Sequence, residues 1–161
     1  MLRLALLLSF ALYLEAASAL VESRAEGRFA LDGQGETMLI DFRPDSIRGW
    51  KIAKARLYLY VVSGPAPAQL PVSTVTVNWS EDKPAGAAKG AFGKGGSSQV
   101  SCAVKPLPQG WIEVELPSAF LEAMAAGKSY GLAWRGGATR INGRAPAFRQ
   151  PYILAEGDPS Q

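Results

Sequence analysis

The sequence predicts an all-β chain: an antiparallel β-sandwich of jelly-roll type with one short helix near its C-terminal third. Two observations carry this. From Ala53 to Val61 apolar and polar residues alternate strictly, with Ala53, Ala55, Leu57, Leu59 and Val61 on one face and Lys54, Arg56, Tyr58 and Tyr60 on the other. A period of two marks a half-buried strand, because successive side chains point to opposite faces of a sheet. Similar short runs then recur between Gly- and Pro-rich turns, and only one run reads as a helix in the folded part.

The chain opens with Arg3, an apolar run from Leu4 to Leu14 and an A-x-A site at Ala17-Ser18-Ala19. This is the pattern of a secretory signal peptide, predicted over residues 1–19. The apolar run is shorter than the ~20 residues that a membrane-spanning helix needs. An exported protein with one domain over residues 20–161 is expected, secreted or periplasmic, with no membrane segment after cleavage.

Strands are then expected at Glu26 to Leu31, closed by Asp32-Gly33, and at Glu36 to Arg43, where Met38, Ile40 and Phe42 share a face. The central strand lies within Trp50 to Val62, and Gly64 to Pro71 reads as a stiff, proline-rich connector. Val72 to Trp79 follows, with Val75, Val77 and Trp79 on one side. Residues 81–98, with glycines at 86, 90, 93, 95 and 96, form a long loop. Its Gly93-Lys94-Gly95 lacks the first glycine and the Ser or Thr of a phosphate-binding loop. Gln99 to Val104 and Trp111 to Leu116 are further strands. Pro117-Ser118 opens the helix AFLEAMAA, closed by Gly127. Tyr130 to Arg135 and Phe148 to Glu156 complete the sheet, with turns at Gly136-Gly137 and Asn142-Gly143.

Composition narrows the chemistry. Histidine is absent, which removes Ser-His-Asp and Cys-His catalysis and the H-E-x-x-H metalloprotease helix. Cys102 is the single cysteine, so no internal disulfide forms, and its position between Val100 and Val104 reads as a buried thiol. Glu113 and Glu115 share a strand face at a spacing that a retaining glycosidase pair could use, but nothing near them announces a deep pocket. The chain is not expected to be an enzyme, and no cofactor is implied.

Several segments taken in order resemble the DNRLRE-type (disaggregatase-related) β-sandwich domains of secreted bacterial and archaeal proteins. They are MLIDF at Met38 to Phe42, IAKARLYLYV at Ile52 to Val61, VTVNWSED at Val75 to Asp82, GWIEVEL at Gly110 to Leu116, AGKSYGLAW at Ala126 to Trp134 and QPYILAEG at Gln150 to Gly157. The resemblance covers most of the predicted mature chain. It implies a jelly-roll sandwich similar to carbohydrate-binding modules, without catalytic residues and accessory to a larger exported protein. The chain departs from the family before its last strand, reading RINGRAPAFRQ where a Ser-Arg-Glu-like stretch stands. No role attached to that glutamate is carried over.

Sugar-binding modules stack flat aromatic rings on the apolar faces of pyranoses. Tyr58 and Tyr60, beside Arg56, and Trp111, which shares parity with Glu113 and Glu115, are the aromatic candidates. Trp79 and Trp134 share parity with Val or Leu and are expected in the core. From Ala123 to Ala155 there is no acidic residue, while Arg135, Arg140, Arg144 and Arg149 are all basic. These arginines could face an anionic polymer or simply occupy solvated turns. Asp32, Gln34 and Glu36 are weak calcium candidates, since the full loop pattern is lacking. The expected partner is a polysaccharide or cell-surface glycan, not nucleic acid; the alternative is a structural assembly domain that packs on a neighbouring domain or subunit.

Overall fold

A computed structural model describes residues 16–30, 36–87, 99–135 and 137–159. The strands are β1 (Ala17–Ala30), β2 (Glu36–Phe42), β3 (Lys51–Ser63), β4 (Gln69–Thr74) and β5 (Val100–Pro106). They continue with β6 (Trp111–Leu116), β7 (Leu132–Arg135), β8 (Arg140–Ile141) and β9 (Tyr152–Asp158); helix α1 spans Ser118–Ala125 between β6 and β7. All pairings are antiparallel. Hydrogen bonding runs β6-β5-β4-β7-β2-β1-β9-β3 and returns from β3 to β6. Eight strands therefore close into a barrel, and the short β8 hangs on the end of β3.

The predicted sandwich is corrected by this closure. Two strands change partners midway and turn the corners between the walls. β1 pairs with β9 over Ala17 to Glu22 and with β2 over Ser23 to Ala30, with a register shift between Ser23 and Ala25. β5 pairs with β4 over Val100 to Ala103 and with β6 over Val104 to Pro106. Two open sheets would leave rows of unpaired backbone groups at their edges; sharing β1 and β5 satisfies those groups and removes the edges.

The barrel interior is packed, not hollow. Leu57, Leu59, Ile112, Val114 and Ile153 come from the wall made by β9, β3 and β6. They meet Met38, Ile40, Phe42, Val72, Leu132 and Trp134 from the wall made by β2, β7 and β4, all buried in one cluster. Lys54 stands exposed and Arg56 half-buried on the opposite side of β3, as its alternation requires. Helix α1 plugs one end with Phe120, Leu121 and Met124. Its end is a Schellman turn: Gly127, at φ 71°, donates to Met124 O, and Lys128 N–H reaches Ala123 O at 2.8 Å. Cys102 lies inside, and burial pushes its thiol pKa up, in keeping with an inert core residue.

Other boundaries shift for physical reasons. β1 begins well before the predicted Glu26: Ala17, Ser18 and Ala19 pair with Gly157, Glu156 and Ala155. The rest of the predicted leader, residues 1–15, lies outside the described residues. β4 starts inside the predicted connector and stops at Thr74, short of the predicted Trp79. Beyond it the chain leaves the ladder and folds over the outside of the barrel. There Val75, Ala87 and the half-buried Trp79 cover Leu39 and Ala133, and Trp79 Nε1–H donates to Tyr130 O at 2.8 Å. Gly27 makes this cover possible, since a Cβ at that position would meet Pro84 and Trp79 at 2.6 and 3.0 Å.

Candidate functional site

The opposite wall carries its aromatics on the outside, and only the turn before β9 reaches over part of it. Because β9, β3 and β6 are neighbours in register, outward side chains line up in rows across them. Tyr152, Tyr58 and Glu113 form one row, flanked by Glu22 of β1 and Lys105 of β5; Tyr60 and Trp111 form part of the next. Directly opposed residues on adjacent strands stand close enough to interact strongly. Tyr58 and Tyr152 stack with centroids 4.8 Å apart and planes 9° from parallel. Trp111 meets Tyr60 at 5.6 Å and reaches across to Tyr152 at 5.7 Å, edge-on in both cases.

Polar groups fix this platform. Tyr58 Oη–H donates to the Glu113 carboxylate at 2.9 Å. Burial, then this hydrogen bond, raises the Tyr58 pKa, and Arg56 opposes the shift. Burial and the nearby Glu113 charge raise that of Tyr152. Both phenols are therefore neutral donors at physiological pH. Arg56 itself bonds Glu156 at 3.1 Å across the sheet. The turn before β9 then rises beside the platform and brings the Arg149 guanidinium over the Tyr60 ring at 4.3 Å and within 5.2 Å of the Phe148 ring. Between this turn and the wall lies a cleft of about 300 Å³, lined by Leu20, Glu22, Trp111, Phe148, Gln150 and Tyr152 among others.

The sequence candidates thus divide. Tyr58, Tyr60, Trp111 and Arg149 come together on this wall, and of them Trp111 lines the cleft. Tyr152 and Phe148 join them, although neither stands out in the sequence; the signal for Tyr152 is its parity with Leu154 and Glu156, opposite the inward Ile153 and Ala155. Arg135 ends β7 on the other wall. Arg144 lies 3.8 Å from Glu81, and its backbone N–H bonds Glu26 at 2.7 Å. Arg140 lines a separate cavity at the mouth of the barrel. Trp134 is core, as expected, whereas Trp79 belongs to the outer cover. Glu36 is engaged by Arg28 at 2.8 Å, and Asp32 and Gln34 lie outside the described residues, as does Gly93-Lys94-Gly95. Among the described residues no group of three His, Cys, Asp or Glu is placed to hold a metal ion. Nor is any helix among them long and apolar enough to cross a membrane.

No protein-family model matches the chain. No curated protein matches it either.

Proposed function

We propose that the chain is an exported, non-catalytic binding module for extracellular or cell-wall carbohydrate. The carrying observation is the contiguous group of Tyr58, Tyr60, Trp111 and Tyr152 on an outer wall beside a cleft. Of these rings, Trp111 and Tyr152 line the cleft and offer apolar surface for pyranose stacking, backed by Tyr58 and Tyr60, while Glu22 and Gln150 offer hydrogen bonds for hydroxyls. Export rests on the leader-like residues 1–19; cleavage after Ala19 would keep the Leu20, Val21 and Glu22 pairs with β9, so the floor of the cleft would be retained.

The test is retention of the purified protein on cellulose, chitin, xylan and peptidoglycan. The parent should be held by at least one of them, and Trp111→Ala or Tyr152→Ala should release it while the fold, read by circular dichroism, persists. Retention by none, or equal retention of both variants, would refute the reading.

A second reading, an assembly surface, is favoured by one specific observation: Leu20 is 50% and Phe148 75% exposed at the same cleft. Monomers rarely leave large apolar patches uncovered. Under this reading a Phe148→Ser variant sediments as a smaller species than the parent; under the carbohydrate reading the two sediment alike.

A further inference from the structure

The mouth of the barrel opposite α1 holds a second cavity, of about 340 Å³, that the carbohydrate reading does not use. Its floor is apolar: Met38, Trp134 and Ile141, each nearly fully buried, belong to the core. Its rim is charged, with Arg28, Glu36 and Arg140. The register shift in β1 creates this rim. After it, Glu26 and Arg28 fall in register with Ile40 and Met38, whose side chains point inward.

Arg28 is held on three sides. Its Nε bonds Glu26 at 2.8 Å, Nη1 bonds Glu36 at 2.8 Å and Nη2 bonds the Ile141 carbonyl at 3.1 Å. Burial opposes its charge, but the bonds to the two carboxylates outweigh that and raise its pKa. The three partners are not equal. Glu26 is itself fixed, accepting from Arg144 N–H at 2.7 Å and packed against Gly143, where a Cβ would run into its carboxylate. Glu36 is 55% exposed and held by Arg28 alone among the described residues. Arg140 has no hydrogen-bond or ion-pair partner among the described residues.

We propose that this mouth is a binding site for a small organic carboxylate with a flat apolar body. The body enters over Met38, Trp134 and Ile141. The carboxylate takes the place of Glu36 on Arg28 Nη1 and pairs with Arg140, so a rim in which Glu36 occupies Arg28 when empty becomes a two-arginine clamp when filled. Guanidinium forks suit carboxylates because two N–H groups meet two oxygens. The volume is at the small end of the range for ligand pockets, which favours a body of one or two fused rings over a larger one.

The experiment is an NMR titration of the full chain, labelled at Met methyls and Trp indoles, with 1-naphthoate and with its neutral analogue 1-naphthamide. Naphthoate should shift Met38 and Trp134 saturably and bind at least about 10-fold more tightly than the amide, as one charge-assisted bond implies. Arg140→Ala, on an exposed side chain, should erase most of that preference, and Glu36→Gln should tighten naphthoate by removing its competitor. Absence of saturable shifts at Met38 and Trp134, equal affinity for acid and amide, or weaker naphthoate binding by Glu36→Gln would each overturn the proposal.

Discussion

The two walls of the barrel share one inner face and differ in what they do with the outer one. The β2-β7-β4 wall turns Leu39 and Ala133 outward, small or aliphatic residues that residues 75–87 cover with Val75, Ala87 and Trp79. The β9-β3-β6 wall turns Tyr58, Tyr60, Trp111 and Tyr152 outward; they pack on one another, and Arg149 covers only the Tyr60 ring. A chain that can cover one wall with its own residues has the means to bury apolar surface outside the barrel. On the other wall it places large amphipathic rings instead: Tyr60, Trp111 and Tyr152 stay half-buried, and Tyr58, 9% exposed, donates to Glu113. Under the proposed function, the difference separates a structural wall from a recognition wall.

Substitutions can break or sharpen that contrast. The largest effect belongs to the shared interior: Leu59→Ala should cost about 2–5 kcal/mol in chemical denaturation, because a fully buried leucine leaves a cavity that neighbours only partly fill. Next comes the covered wall, where Trp79→Ala should cost about 2 kcal/mol through lost apolar burial and the lost bond to Tyr130. On the open wall Trp111→Ala should cost only about 1 kcal/mol, the scale of its edge-on ring contacts, while removing glycan retention. If Trp111→Ala destabilised more than Trp79→Ala, the open wall would be structural too.

The smallest effect is one of pH. The folded-state pKa values of Tyr58 and Tyr152 are raised, so the fold favours the neutral phenols. Their contribution is fully present below the ordinary tyrosine pKa of about 10 and is lost as pH rises through the higher folded values. Thermal melts should therefore fall above that pH, and less steeply in a Tyr58→Phe, Tyr152→Phe double variant than in the parent.

Much of each wall is legible in the sequence because period two survives wherever one face is buried. Leu57, Leu59, Ile112 and Val114 show inward positions by alternation alone, and the same alternation places Tyr58, Tyr60 and Trp111 outward. β6 lies where spacing puts it, and α1 ends at the predicted Gly127 but begins at Ser118 with no side-chain cap. What alternation cannot express is closure, which depends on β1 and β5 changing partners midway along their length. The shift between Ser23 and Ala25 also reverses parity, so inward Glu26 and Arg28 read as an ordinary polar strand. The aromatic site is half legible for a similar reason: strand parity points to its tyrosines, but the turn that brings Phe148 and Arg149 over them follows no period.

The central claim, that the open wall is the recognition surface, is tested most directly with 5-fluorotryptophan-labelled protein followed by fluorine NMR. Each tryptophan reports one region: Trp111 the open wall, Trp79 the cover, Trp134 the barrel interior and Trp50 the start of β3. Titration with cellohexaose, chitohexaose and xylohexaose should move the Trp111 resonance saturably with at least one sugar and leave Trp79 and Trp134 in place. A Trp111 resonance that stays fixed while all three sugars are raised to saturating concentrations, or a response confined to Trp79 or Trp134, would contradict it.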